Sequence, residues 1–257
     1  MNVISIRHSA SCHCSECPVL QTGLCSHADA QTRIEISRAA RHVRVRRGQS
    51  IMIQGDSARD LALVTSGVVK TVHMTESGDT QVLGLQFTGH FLGRVFEPVI
   101  RLSYEAATEA TLCLLNRHAF EALLSRSPGL EHGYLLATLE QMDSMRAWMC
   151  LLRGRMARER VAAYLYLRLD SRNSADAIVT TSGGRSFLEL RLGRTDLASL
   201  LDMSPETLCR CLHSLADQGA VHVGAPNHIE IRDARRLLTC AGPSLDGVLK
   251  AGARAVV

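Results

Sequence analysis

Between residues 41 and 118 the sequence is a succession of short apolar or alternating segments, punctuated by glycine. Candidate strands are Val43–Arg46, Ser50–Gln54, Leu61–Thr65, Val68–Met74, Gln81–Gln86, Ser103–Thr108 and Thr111–Asn116, with Gly48, Gly55, Gly67, Gly78, Gly84 and Gly89 among them. Short strands at this spacing predict an antiparallel sandwich or roll. A helical pattern over about 29–40 precedes this stretch. The residues before it, 1–28, are polar, Cys-rich and without periodicity, and read as a loop ordered only by what it binds.

From about 118 to 170 the pattern is helical. Leu135, Met142, Met149 and Met156 recur every seven residues, and Thr138, Met145 and Leu152 form the companion row. This is an a/d-like seam, which suits a partner helix; the alternative is a helix packed on its own sheet. Gly154 weakens the run near its end. A polar break, Asp170–Asp176, separates this stretch from the last one. There, residues 192–217 give two short helical patterns and 220–232, with Gly224-Ala-Pro-Asn227 in the middle, read as a β-hairpin. The tail after Gly242 is rich in small residues and reads as loose.

Composition narrows the class. With 46% hydrophobic and 21% charged residues, the chain is neither disordered nor collagen-like. It has no apolar run long enough to span a membrane. Met1–Ala10 lacks the apolar core of a signal peptide, so the expected compartment is the cytoplasm. The net charge of +4 permits an anionic partner without demanding one.

Thr195-Asp-Leu-Ala-Ser-Leu-Leu201 has a Thr able to cap a helix and an apolar face. After a three-residue turn comes Pro205-Glu-Thr-Leu-Cys-Arg-Cys-Leu-His-Ser-Leu215, where Ser204 can cap and Pro205 fits the first helical position. Leu208, Leu212 and Leu215 share one face; Glu206, Thr207, Cys209, Arg210 and His213 lie on the others. Two helices joined by a tight turn, the second presenting polar side chains, match a helix-turn-helix. Arg210 can bond guanine O6 and N7, and Glu206, four residues earlier, can accept from cytosine N4. The competing reading is a surface ion pair on an ordinary helix.

Nine cysteines in a chain without an export signal read as reduced thiols. Cys14-x2-Cys17-x7-Cys25 places three thiolates in one short segment, a spacing that serves a metal ion, an iron–sulfur cluster or a redox thiol set. A closed site wants a fourth ligand, from Cys12 or from a distant Cys. Cys113, Cys150, Cys211 and Cys240 are each accounted for as small core residues.

The layout as a whole resembles the Crp/Fnr family of bacterial transcription regulators. Arg47-Gly-Gln-Ser-Ile-Met-Ile-Gln-Gly-Asp56 resembles the family's first hairpin, and Leu63-Val-Thr-Ser-Gly-Val-Val-Lys70 and Glu76-Ser-Gly-Asp79 the roll segments that follow. Arg158-Glu-Arg-Val-Ala-Ala163 is similar to the end of its dimer helix, and Glu206-Thr-Leu-Cys-Arg210 to its recognition helix. The resemblance implies an α+β chain: a Cys-rich segment (1–28), a cyclic-nucleotide-binding-like β-roll of jelly-roll type (29–128), a long dimerisation helix (129–168), a winged helix-turn-helix (169–245) and a loose tail (246–257).

The N-terminal cysteines point to the oxygen-responsive Fnr branch, which holds a 4Fe-4S cluster through three N-terminal Cys and one from the roll. The matching positions are Cys14, Cys17, Cys25 and Cys113, the last by its place before Phe120-Glu-Ala-Leu123; Cys12 is left over. The resemblance implies a homodimer closed through Leu135, Met142, Met145, Met149, Leu152 and Met156. It also implies DNA contacts from Thr195, Ser204, Glu206, Thr207, Cys209, Arg210 and His213 at an inverted repeat of TTGAT-like half-sites. It further implies an activator that meets RNA polymerase under low oxygen. Cys209 stands where the branch usually has Ser, which relaxes preference at the outer half-site position. Phe91-Leu-Gly-Arg-Val-Phe-Glu97 and Arg101-Leu-Ser-Tyr104 lack the phosphate cassette of the cyclic-nucleotide branch, so no cyclic nucleotide is expected. The alternatives are a regulator sensing redox through a zinc or thiol site, or a small ligand in the roll. An iron–sulfur enzyme acting on nucleic acid would need a catalytic Lys or Asp in a base pocket; no such motif is present, and no enzyme is expected.

Overall fold

β8 (Ala110–Asn116) pairs antiparallel with β1 (Arg41–Val45) on one side and with β3 (Asp60–Ser66) on the other. The computed structural model describes residues 17, 19–20, 23–75, 80–170, 176–183, 185–225 and 227–242. Its contacts divide the chain into two units, 1–141 and 142–257.

In the first unit, β6 (Phe91–Leu92) joins β3 to complete a four-stranded sheet of order β1-β8-β3-β6. A second sheet has the order β2-β7-β4-β5, from β2 (Ser50–Met52), β7 (Ser103–Ala106), β4 (Val69–Met74) and β5 (Thr80–Gln86). Alternate side chains of a strand point to opposite faces. On one face of the first sheet, Val43, Val45, Ala62, Val64, Leu112 and Leu114 pack with Met52, Val69 and Ala106 of the second, forming the interior of the roll. On the other face, Leu61, Leu63, Cys113 and Leu115 point outward from the roll and are covered by a second cluster. β3 is therefore buried on both sides, which explains its unbroken apolar run.

The outer cluster is closed by a single 3-10 turn (Leu24–His27), α1 (Ala30–Ala39), α2 (Arg117–Leu124) and the start of α3 (Pro128–Leu152). Asp29 caps α1, its carboxylate accepting from Thr32 N at 2.7 Å, and Asn116 caps α2, accepting from Ala119 N at 3.1 Å. Phe91, Phe120 and Tyr134 meet edge to face or tilted at 5.5–6.2 Å.

The described part of segment 1–28 is not a loop waiting for a ligand. Val19 and Leu24 are each 1% exposed and belong to this core; burying an apolar side chain of this size contributes roughly 1.5–3 kcal/mol, enough to order the segment. Cys12 and Cys14 lie outside the described residues.

The helix predicted over 129–168 is two helices. α3 stops at Leu152 and α4 runs Ala157–Asp170. Gly154 takes the left-handed conformation (φ 68°) that terminates helices, and Arg155 donates to the Cys150 and Leu151 carbonyls. Glu159 accepts from Met156 N at 2.9 Å and starts the next helix. The sequence favoured continuity because Met156 keeps the heptad spacing by coincidence.

In the second unit, β9 (Ala177–Ser182), β10 (Arg185–Leu190), β11 (Val221–Ala225) and β12 (His228–Ile231) form an antiparallel sheet of order β11-β12-β10-β9. With it go α5 (Arg194–Leu200), α6 (Pro205–Asp217) and α7 (Ala234–Cys240). The β11–β12 hairpin is the one predicted over 220–232; β9, β10 and α7 were not predicted. No described helix is long and apolar enough to cross a membrane.

Candidate functional site

Two places in the chain bring together residues singled out in the sequence. The first is a pocket on the outer face of the roll. It is lined by Cys17, Cys25 and Cys113, with Leu24, Ile36, His42, Leu63 and Phe120 among the remaining walls. Cys113 reaches it because it is an odd member of β8, facing away from the roll interior; it is 5% exposed. Cys25 reaches it from the 3-10 turn, and Cys17 from the bend that precedes it, where Leu20 N donates to the Cys17 carbonyl at 3.0 Å.

The turn that carries Cys25 is seated on α3. A Cβ at Gly133 would stand 2.8 Å from His27 Cβ and 3.0 Å from Leu24 O, and one at Gly129 would strike the His27 carbonyl. These two glycines, one helical turn apart, allow the backbone of 24–27 to lie against the helix; sequence reading missed them, although their spacing was visible. His27 and His132 add an edge contact at 5.9 Å.

No disulfide links Cys17, Cys25 and Cys113. Among the described residues, no three His, Cys, Asp or Glu side chains stand close enough together to hold a metal ion. The chemistry of the donor set nevertheless fits a soft metal or an iron–sulfur cluster: three thiols in an otherwise apolar shell. A further polar atom is there as well. His42 is 8% exposed, and its buried Nε2 has no hydrogen-bond partner among the described residues. Burial holds its pKa below the ordinary 6.5. No signal in the sequence marked this residue.

The second place is α6. Ser204 caps it, its hydroxyl accepting from Thr207 N at 3.2 Å, and Pro205 occupies the first turn. Leu208, Cys211, Leu212 and Leu215 are buried. Glu206, Cys209, Arg210 and His213 are exposed together on the opposite side and Thr207 is half-buried, as the apolar spacing predicted. Among the described residues no ion pair joins Glu206 to Arg210, so both head groups stay open to a partner. Asp202 (φ 54°) makes the tight turn between α5 and α6. Thr195 does not cap α5: the helix begins at Arg194, with Gly193 at the cap, so Thr195 is an exposed residue of its first turn.

On α3, Leu135, Met142, Met145 and Met149 are 40–61% exposed, and Leu139, not counted in the seam, is 42% exposed. Leu152 is half-buried at the helix end. Met156, 74% exposed, lies beyond that end and is not part of the same helical row.

Comparison with known proteins gives these features a lineage. Residues 42–127 match the cyclic nucleotide-binding domain and residues 159–240 the Crp-like helix-turn-helix domain. A cyclic AMP receptor protein from Thermus thermophilus is 30% identical over 193 residues, 74% of this chain and 83% of that protein. The chain belongs to the Crp/Fnr family. Within it, the transcriptional activator protein FnrL of Cereibacter sphaeroides is 28% identical over 236 residues, 92% of this chain and 94% of that protein. The structure of FixK2 from Bradyrhizobium japonicum superposes with a TM-score of 0.66 at 24% identity, over 79% of this chain and 98% of that one. Crp/Fnr members are DNA-binding transcription regulators and not enzymes, and α6 lies within the matched helix-turn-helix domain.

Proposed function

We propose that this Crp/Fnr regulator is an oxygen-responsive activator in which Cys14, Cys17, Cys25 and Cys113 hold a 4Fe-4S cluster. The observation that carries this reading is the convergence of Cys17, Cys25 and Cys113 on one apolar pocket from two distant parts of the chain. Cys14 lies outside the described residues and enters by its spacing from Cys17. Held by these thiolates, a 4Fe-4S cluster would supply an iron–sulfide core that oxygen destroys. The chain's own residues do the rest. The Cys25 turn rests on α3 through Gly129 and Gly133, so holding Cys25 to Cys113 fixes the start of that helix against the roll. Farther along the same helix, Leu135, Leu139, Met142, Met145 and Met149 present the apolar row through which two copies pair. A pair sets two α6 helices at the half-sites of an inverted repeat, where Glu206 and Arg210 read a G·C pair. Release of Cys25 withdraws support from α3 and favours separation.

The test is anaerobic purification with iron and sulfide analysis and a visible spectrum, followed by exposure to air. About four irons and four sulfides per chain, with a colour that bleaches in air, is the expected result. Zinc, or no metal, would leave DNA recognition standing and move sensing to a zinc or thiol site built from the same three cysteines, which line one pocket.

A further inference from the structure

His42 and Cys113 face each other across the β1–β8 pairing, and Leu63 completes the row on the neighbouring strand. Directly opposed residues of an antiparallel pair project to the same side with their Cβ atoms roughly 5 Å apart. That side is the outer face of the roll, and His42 lines the same pocket as Cys17, Cys25 and Cys113. Buried polar atoms almost always find a partner. An imidazole serving only the packing would spend its buried nitrogen on a carbonyl or a carboxylate, yet Nε2 of His42 has none among the described residues. The other walls, such as Leu24, Ile36, Leu63 and Phe120, offer no acceptor. What the pocket lacks is a group that brings acceptors with it.

We infer that His42 is a positioning residue of the thiol site: its Nε2–H donates a hydrogen bond to the sulfur atoms of the iron–sulfur group held there. The inference rests on the cluster reading of the pocket. The four cysteines complete the iron ligation, which leaves the imidazole the role of donor to sulfur. A hydrogen bond to a cluster sulfur stabilises the more negative, reduced state and so raises the reduction potential. It also makes the group harder to oxidise, which slows its loss in air.

The experiment compares the wild type with His42→Leu and His42→Gln, each purified anaerobically at full length. The readouts are iron and sulfide content, the midpoint potential, the rate of bleaching in air, and the melting temperature with and without iron. Wild type and His42→Leu are expected to hold iron equally, with the Leu variant at a more negative potential and bleaching about tenfold faster, the scale of one charge-assisted hydrogen bond. His42→Gln, which keeps a donor, is expected to recover most of the difference. Without iron, His42→Leu is expected to melt no lower than the wild type, because it removes an unpaired buried nitrogen. Unchanged potential and bleaching in an iron-loaded His42→Leu protein overturns the inference and leaves the cluster reading intact. An equal fall in melting temperature with and without iron also overturns it, making His42 a packing residue. Loss of iron in both variants, with the fold intact, overturns the donor role in favour of direct ligation. A wild type that holds no iron–sulfur group defeats the cluster reading and this inference together.

Discussion

Arg168 Nε donates to Asp176 Oδ2 at 2.7 Å, with both side chains fully buried. Tyr164 donates to the same oxygen at 2.9 Å, and the guanidinium lies 4.9 Å from the Tyr164 ring and 5.8 Å from that of Trp148. The pair thereby ties α4 to the residue that leads into β9. Removing one partner strands the other as a buried charge. Asp176→Ala is expected to destabilise the protein by about 3–5 kcal/mol, and Arg168→Met/Asp176→Leu by clearly less. Urea denaturation of the two variants measures this; equal losses would mean that the charge left behind is not the cause.

Arg210 is exposed on α6 beside Glu206, with no ion pair between them among the described residues. Arg210→Ala is expected to weaken binding to the specific inverted repeat by about 1–3 kcal/mol while leaving non-specific binding nearly unchanged. Fluorescence anisotropy titrations on both DNAs, at one fixed salt concentration, give the comparison. An unaltered specific isotherm removes Arg210 from base reading.

Cys113 is nearly the same size as Ser and sits on a strand paired on both sides. Cys113→Ser and Cys25→Ser are therefore expected to retain their far-ultraviolet circular dichroism and to lose the iron that the proposed function assigns to the wild type. Cys150→Ser, whose thiol is exposed on α3, is expected to keep it. Retention of full iron by the Cys113 variant would show that the fourth donor is another residue.

His90 accounts for a pH dependence inside the roll. Its Nδ1 is 3.1 Å from Gln86 Oε1, which also accepts from Gln141 on α3, and burial pushes its pKa down to about 4. Between the ordinary value near 6.5 and 4, the unfolded chain takes up a proton that the folded chain refuses. Stability therefore falls as the pH falls through that window. The loss from pH 7 to pH 5 is about 2 kcal/mol. Urea titrations at the two pH values should show His90→Gln lacking that part of the loss, and a slope identical to the wild type's would assign it elsewhere.

Met145 and Met149 are exposed on α3, so a charge placed there costs the isolated chain little. Met149→Asp is expected to shift the anaerobic protein from dimer to monomer in sedimentation velocity without changing its melting by denaturant. If the variant sediments as a dimer, the pairing surface lies off this row.

The roll was legible because its strands are regular enough to alternate or are buried on both sides, as Leu61–Thr65 is. Phe91–Leu92 escaped because two residues carry no period. The recognition helix was legible in nearly full detail, since Ser204, Pro205 and the spacing of Leu208, Leu212 and Leu215 are local signals. The split between α3 and α4 was harder. Gly154 was visible as a weak point, but only the hydrogen bond from Met156 N to the Glu159 carboxylate turns a weak point into a new start. Thr195 was misassigned as a cap because the cap is Gly193, which lacks a capping side chain, two residues earlier. Cys113 could be joined to the N-terminal cysteines only by resemblance, because which face of β8 it takes is set by pairing register. His42 carried no signal for the same reason: its meaning is the residue across from it.

The position of Cys113 also sets an order of assembly. A nascent chain that has emerged only as far as β7 carries the N-terminal cysteines but lacks Cys113, the sulfur that the roll contributes. Cys113 faces the pocket only after β8 is inserted between β1 and β3, the pairing of greatest sequence separation in the roll. A site that includes Cys113 is therefore completed only in a finished domain. Charging the site then doubles as an inspection of the fold, since a chain that fails to seat β8 cannot complete it.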